Sequence, residues 1–367
     1  MLYLCHLTSI EIFVTLCIRP ARASLIESSI SMMLPGKSLL FLGDVASKLD
    51  AKTACGLVEW GPERCIGQWR LPACQIDLGL ADLDFCEAYE TGARTLLIGV
   101  TPFGGAFAPK WIDPIVGALN AGLDVASGMH ARLDSVPAIA AAALAGGRAL
   151  FDVREANGHF PIGTGRKRSG KRILTVGTDC AVGKKYTALT IARDMAAHGF
   201  EVSFRATGQT GIMIAGKGVP VDAVVSDFLA GAAECLSPDN HPHHWDVIEG
   251  QGSLFHPAYA GVALGLLHGS QPDAIVVCHA ADRNYVDGYP DFLLPSLEDC
   301  IEINLRMARL TNPNVRCVGV SFNSAGFKPD DRDILLKTTE DRLGIPCFDP
   351  FVTGAHPLIE HIAATFH

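Results

Sequence analysis

No two of the twelve cysteines form a C-x-x-C pair, so nothing reads as a zinc ribbon or a thioredoxin-like redox motif. Cys278 and Cys317 fall inside apolar runs and are expected to be small core hydrophobes, kept reduced. Positive charge is also short. Thirty Lys and Arg against 39 Asp and Glu leave a formal charge of −9, which argues against a nucleic-acid partner but not against a basic patch around a small anion. Charged residues make up 19% and hydrophobic residues 49%, with no long polar tract, so disorder is not expected. A clean membrane span is missing too: Met1–Ile18 is apolar but carries His6 and Glu11. That stretch lacks the basic start of a secretory signal, although Ala21-Arg22-Ala23 mimics a cleavage site. Met32-Met33 precede a plausible first strand and turn over Leu34–Asp44. Residues 1–32 are therefore read as an extension outside the native protein, and the working chain is expected to begin near Met33, in the cytoplasm.

What is present is alternation. Short apolar runs interleave with Ala/Gly-rich helical stretches, the pattern of βαβ units round a parallel sheet. At 367 residues there is room for two domains. The fold class expected is α/β: a Rossmann-like domain over 33–162, a linker over 163–172, and a P-loop-containing α/β domain with a mostly parallel sheet over 173–367. In the first half, Leu39–Leu42, Thr95–Val100 and Leu123–Ala126 read as strands. Turns follow at Gly43-Asp44, Thr101–Gly105 and Ser127–His130, and helices cover Pro109–Ala121 and Val136–Gly146. In the second half the strands are Arg172–Val176, Glu201–Arg205, Val247–Ile248, Ala274–Cys278 and Val315–Phe322, with a helix over Tyr186–His198. The linker's basic residues have two readings: they solvate a connection, or some meet a phosphate held by the loop that follows. An Ala/Gly-rich chain with positive mean hydropathy is compatible with a homo-oligomer.

The loop is the strongest motif. Strand and helix meet at Gly177-Thr178-Asp179-Cys180-Ala181-Val182-Gly183-Lys184-Lys185. In a standard P-loop, G-x-x-x-x-G-K-[ST], backbone N–H groups wrap phosphate oxygens and the lysine completes the charge. The following helix adds the positive end of its dipole. Here five residues, not four, separate the glycines, and Lys185 stands where a Ser or Thr would bind Mg²⁺. Thr187 cannot substitute, because two positions along a helix turn a side chain by about 200°. A second cation there suits phosphate binding without metal, and coenzyme A is the common cofactor of that kind.

The spacing G-T-D-x-x-V-G-K resembles the dethiobiotin synthetase branch of P-loop enzymes. Val247–Ser253 looks like that branch's V-E-G-x-G-G, whose acid helps hold Mg²⁺, and Asn323 falls where it reads adenine with an asparagine. A closer resemblance rests on longer runs: Gly177–Ala188, Phe204–Ile212, Ile248–Leu254 and Gly269–Asp273, with Gly99–Gly105 and Gly122–His130 upstream. Together these resemble the D-glutamate N-acetyltransferase family, formerly a domain-of-unknown-function family, from Met33 to the C-terminus. That resemblance implies acetyl transfer from acetyl-CoA to the amino group of D-glutamate or a related amino acid. The residues alone reach only a phosphate-bearing cofactor.

Amine acetylation needs a base and donors for developing negative charge. Glu249, His256 and His279 sit at or just beyond strand ends, where open α/β sheets bind ligands; Glu249 has a structural or metal-binding reading of equal weight. The loop Gly177–Lys185 and Asn323 are the cofactor candidates. Carboxylates of the acceptor call for Arg205 first, with Thr207, Gln209 and Thr210, and Arg283 second. Asp179 is odd in an anion cradle, and helix cap, proton carrier and metal ligand stay open for it. His241, His243 and His244 lack a frame for a metal site, and no metal is expected. The alternatives are an ATP/Mg-dependent ligase or kinase of the dethiobiotin synthetase type, or a non-catalytic nucleotide-binding module.

Overall fold

The computed structural model describes residues 32–48, 50–100, 106–156 and 158–366. The expectations for residues 1–31 and for the turn Thr101–Gly105 lie outside the described residues. The first half runs β1 (Met32–Met33), β2 (Lys37–Gly43), α1 (Lys52–Trp60), β3 (Cys65–Arg70), α2 (Phe85–Glu90), β4 (Ala93–Ile98), α3 (Pro109–Asn120), β5 (Asp124–Ser127), α4 (Pro137–Gly146) and β6 (Leu150–Asp152). The second half runs β7 (Lys171–Gly177), α5 (Lys184–Ala197), β8 (Val202–Arg205), α6 (Gln209–Ala215), β9 (Lys217–Gly218), α7 (Ser226–Leu236), β10 (Trp245–Ile248), α8 (Ala260–Ser270) and β11 (Ala274–Ala280). It ends with the hairpin β12 (Tyr285–Val286) and β13 (Tyr289–Leu293), then α9 (Leu297–Ala308), β14 (Arg316–Asn323), α10 (Pro329–Leu343), β15 (Cys347–Phe348) and α11 (His356–Thr365).

Two parallel sheets organise these elements. The first has the order β3-β2-β4-β5-β6 and the second β15-β14-β11-β7-β10-β8. Leu39–Leu42 are wholly buried, as are Ile275–Cys278. Continuous apolar runs of this kind suit strands covered by helices on both faces. In each sheet the chain winds first to one side and then to the other, reversing beside β2 and beside β7. Such switch points open a crevice at the carboxyl ends of the strands. The strands and helices expected from the sequence appear within two residues of their expected ends. β3, β6 and β15 were not foreseen; the first is half exposed and the others are too short to show a period.

The linker settles against the amino ends of the second sheet. Arg172 is fully buried. Its Nε donates to Ser237 Oγ at 2.7 Å, and its terminal nitrogens donate to the carbonyls of Arg168, Ser169, Gly170, Ser237 and Pro238. Arg168 donates to the Ser237, Gly269 and Ser270 carbonyls, and Lys167 to Asp273. These cations thus sit at the carboxyl ends of α7 and α8, where the helix dipoles favour them. The reading in which they meet a phosphate of the loop is corrected, since β7 separates them from it.

The two sheets share apolar contacts. Ile212, Met213 and Ile214 of α6 are buried in one cluster with Leu57, Ile98 and Met129 of the first half. β1 pairs antiparallel with β9. No helix among the described residues is long and apolar enough to cross a membrane.

Candidate active site

The loop Gly177–Lys185 joins the end of β7 to α5. Ala181 takes φ +53° and Gly183 φ +101°, turning the chain so that α5 starts with no side-chain hydrogen bond at its N-cap, Gly183. Lys184 is buried, and its Nζ donates to the Asp179 carbonyl at 2.6 Å. Burial pulls its ammonium below the ordinary lysine value. Lys185 lies with Nζ 4.1 Å from the centre of the Tyr186 ring. Burial lowers its pKa as well, with Glu249 opposing and Lys52 adding to the shift. Two cations disfavoured by their surroundings stand at the positive end of one helix, a setting that a phosphate would relieve. Thr187 faces elsewhere: its hydroxyl pairs with Ser321 Oγ at 2.7 Å, as the helical rotation requires.

Asp179 is a strut. Its Oδ2 accepts from Arg283 Nη1 and from the Asp287 amide, both at 2.8 Å, and its Oδ1 accepts from the Cys180 amide. Arg283 also donates to the Cys180 carbonyl at 2.9 Å. Arg283 therefore ties the segment after β11 onto the loop, and its expected substrate role competes with that duty. Asp179, Cys180 and His256 each bring one atom to within 4.8 Å of the others. The carboxylate of this group already has a cation partner in Arg283, and burial keeps the Cys180 thiol pKa raised.

His256 is buried between Tyr259 and Tyr289, with ring centres 4.5 and 5.1 Å away. The amides of Ala258 and Tyr259 point at its Nδ1 from 3.1 and 3.3 Å. Nδ1 is thus an acceptor, so in the neutral ring the proton sits on Nε2 and His256 presents a donor. His279, on β11, pairs through Nδ1 with Thr178 Oγ1 at 2.9 Å. Burial, then Arg283, push its pKa down, which leaves a neutral imidazole near pH 7.

Glu249 follows β10 and is buried. Its Oε2 accepts from the amides of Thr207 and Gly208 at 2.9 and 3.0 Å, and Thr207 Oγ1 donates back to the Glu249 carbonyl. Burial raises its pKa, opposed by those two amides and by Lys185. A Cβ on Gly211 would run into this carboxylate, and one on Gly208 would come within 2.5 Å of Gln251 Nε2. Glycine at both positions is what lets the start of α6 close over the acid. Asn323 ends β14, and its Oδ1 accepts from the Ala325 amide.

The remaining expected residues separate into two groups. Thr207 is in the site, held by Glu249 and by Gln251 Nε2 at 3.1 Å. Gln209 and Thr210 line a different space, a cavity of about 180 Å³ between the two halves. Arg205 stands apart, its Nε donating to Asp246 Oδ1 at 2.8 Å; a buried acid on the neighbouring strand requires a counter-ion. Two cations on the cavity wall, Lys52 and Arg154, were missed from the sequence. Each lies just beyond an element end that had not been read, so no signal singled them out.

Residues 161–359 match the P-loop domain, and 69–156 the Rossmann-like domain, of the family described as domain of unknown function DUF1611. The chain is 47% identical over 332 residues to a D-glutamate N-acetyltransferase of Tritonibacter scottomollicae, covering 90% of this chain and 100% of that protein. It is 43% identical over 331 residues to a D-glutamate N-acetyltransferase of a Pseudoalteromonas species, with the same coverage of 90% and 100%. A crystal structure of a DUF1611 family protein from Anabaena variabilis aligns with a TM-score of 0.77 at 29% identity, covering 90% of this chain and 100% of that one.

Proposed function

The chain belongs to the DUF1611 family of D-glutamate N-acetyltransferases, and from that premise we propose that it moves acetyl from acetyl-CoA to the amino group of D-glutamate. The observation that carries the cofactor half of this reading is the Lys184–Lys185 pair at the uncapped start of α5. The residues fit a phosphate-bearing group: loop amides, a helix N-terminus and two cations that lack a nearby full counter-charge of their own. Gly177–Lys185 would hold the phosphates. Bound there, acetyl-CoA supplies the acetyl group as an activated thioester.

The other roles follow from the geometry. The acceptor's ammonium must lose a proton, and His279 is the base: with Nδ1–H donating to Thr178 Oγ1, its Nε2 lone pair is available, and the lowered pKa keeps it neutral. His256 offers Nε2–H to developing negative charge. Glu249 positions the Thr207–Gly208 turn. Lys185 replaces the hydroxyl that would hold Mg²⁺, and Glu249 spends an oxygen on two amides, so both support phosphate binding over phosphoryl transfer.

The test is thiol release from acetyl-CoA with D-glutamate, run beside calorimetric titration of acetyl-CoA into wild type and Lys184→Met. Stoichiometric thiol and a loss of about 1.5–3 kcal/mol of binding in the variant are expected, as for a charged hydrogen bond. No thiol with any acidic amino acid, together with Mg²⁺-dependent ADP formation, would hand the site to the ligase or kinase alternative.

A further inference from the structure

The cavity of about 180 Å³ between the halves is lined by Lys52, Thr53, Ile98, Val100, Gly128, Arg154, Gln209, Thr210 and Met213. Its walls come from the carboxyl ends of both sheets. Val100, Gly128 and Arg154 lie just past β4, β5 and β6, and Gln209 and Thr210 begin α6 after β8. The crevice at which a Rossmann-like sheet takes ligands therefore faces the Thr207–Gly208 turn that Glu249 holds. Lys52 at the start of α1 is close enough to depress the Lys185 pKa, so the cavity and the P-loop lysines share one electrostatic neighbourhood.

The charge of the lining is one-sided. Among the described residues it contains two cations and no acid, in a chain with 39 Asp and Glu against 30 Lys and Arg. Arg154 is fixed by its Nε, which donates to the Gly128 carbonyl at 2.8 Å. Its terminal nitrogens make no hydrogen bond among the described residues, which leaves the fork suited to a carboxylate. Lys52 is exposed and forms no ion pair among the described residues. The space holds roughly six waters' worth of volume, the size class of an amino acid and well below that of a nucleotide cofactor. Ile98, Val100 and Met213 give it an apolar stretch suited to a short methylene chain.

We propose that this cavity is the acceptor subsite, with Arg154 and Lys52 receiving the two carboxylates of an acidic amino acid. The inference rests on the reading of the chain as an acetyltransferase acting on D-glutamate, but its test does not depend on turnover. Glutarate, a dicarboxylate with no amine to acetylate, is the probe. It binds wild type by calorimetry and competes with D-glutamate, and Arg154→Met and Lys52→Met each weaken it at least tenfold, about the loss of one charge-assisted contact. In turnover the same variants raise KM for D-glutamate by a similar factor, leave KM for acetyl-CoA within twofold, and erase the preference for D-glutamate over D-glutamine. Arg154→Lys, which keeps the charge, recovers part of the loss and separates a carboxylate contact from a folding defect. Glutarate binding that is unchanged in both Met variants, or absent in wild type, overturns the subsite whether or not acetyl transfer occurs. Thiol release without glutarate binding keeps the enzyme and removes the pocket; glutarate binding without thiol release does the reverse.

Discussion

His256 and His279 are both imidazoles beside the same loop, and their hydrogen bonds give them opposite jobs. Two amides fix the lone pair of His256 on Nδ1, so its free edge donates. His279 has a hydroxyl partner on Nδ1, and a hydroxyl can accept, so its free edge is able to take a proton. Burial and the nearby Arg283 disfavour the imidazolium, and the folded pKa is therefore lower than the ordinary value of about 6.5. The sign for activity follows: a base works when unprotonated, so kcat with both substrates saturating holds through neutrality and falls only as pH drops through a midpoint below about 6.5. His279→Gln should remove that limb and lower kcat by about 10²–10⁴. A profile whose acid limb survives the substitution would move the base elsewhere, with Glu249 the nearest candidate.

At the scale of elements, β7, β8 and β10 must converge closely for the loop to face the Thr207–Gly208 turn, and glycines set the distance. A Cβ on Gly250 would collide with the Thr175 carbonyl oxygen and lie 3.1 Å from Lys184 Cδ. Gly250→Ala must therefore push β10 away from β7 or displace the lysine. Expected are a loss of about 1–3 kcal/mol in urea unfolding and weaker acetyl-CoA binding; a variant unchanged in both would mean the strand ends have slack that the structure does not show. The strand–loop–helix around Lys184 was legible in the sequence because its logic is local: an apolar run, two glycines at fixed spacing, then a helix. Thr187's departure from the site was legible for the same reason, being a matter of helical rotation. Arg205 was not, because its partner Asp246 is 41 residues away and nothing in Arg205's own neighbours announces it. Asp179 was left open for a similar reason: what occupies it, Arg283 and the Asp287 amide, arrives from more than a hundred residues downstream. Lys52 and Arg154 stayed hidden because β6 is only three residues long, too short to mark the residue that follows it.

Across the whole molecule, the two sheets are bound by more than the connection between them. α6 follows β8 of the second sheet, yet Ile212 and Met213 are buried in the cluster built on β2, β4 and β5. Gly56 of α1 sits where a Cβ would be 3.6 Å from the Tyr186 hydroxyl on α5 and 3.9 Å from Thr210 Cγ2 on α6. Separating the halves would expose these apolar side chains to water at about 25 cal/mol per Å², and would open the cavity that the acceptor is proposed to fill. The expected consequence is one cooperative thermal transition, with calorimetric and van't Hoff enthalpies equal. Acetyl-CoA, binding at the loop of one half, should then raise the melting of the entire chain, by about 2.7 kcal/mol of added stability at a hundredfold excess over Kd. Scanning calorimetry with and without acetyl-CoA distinguishes the cases. Two resolved transitions, only one of which moves with the cofactor, would show that the shared cluster does not couple the halves, and the cavity between them would lose the rigidity that a subsite for so small a ligand requires.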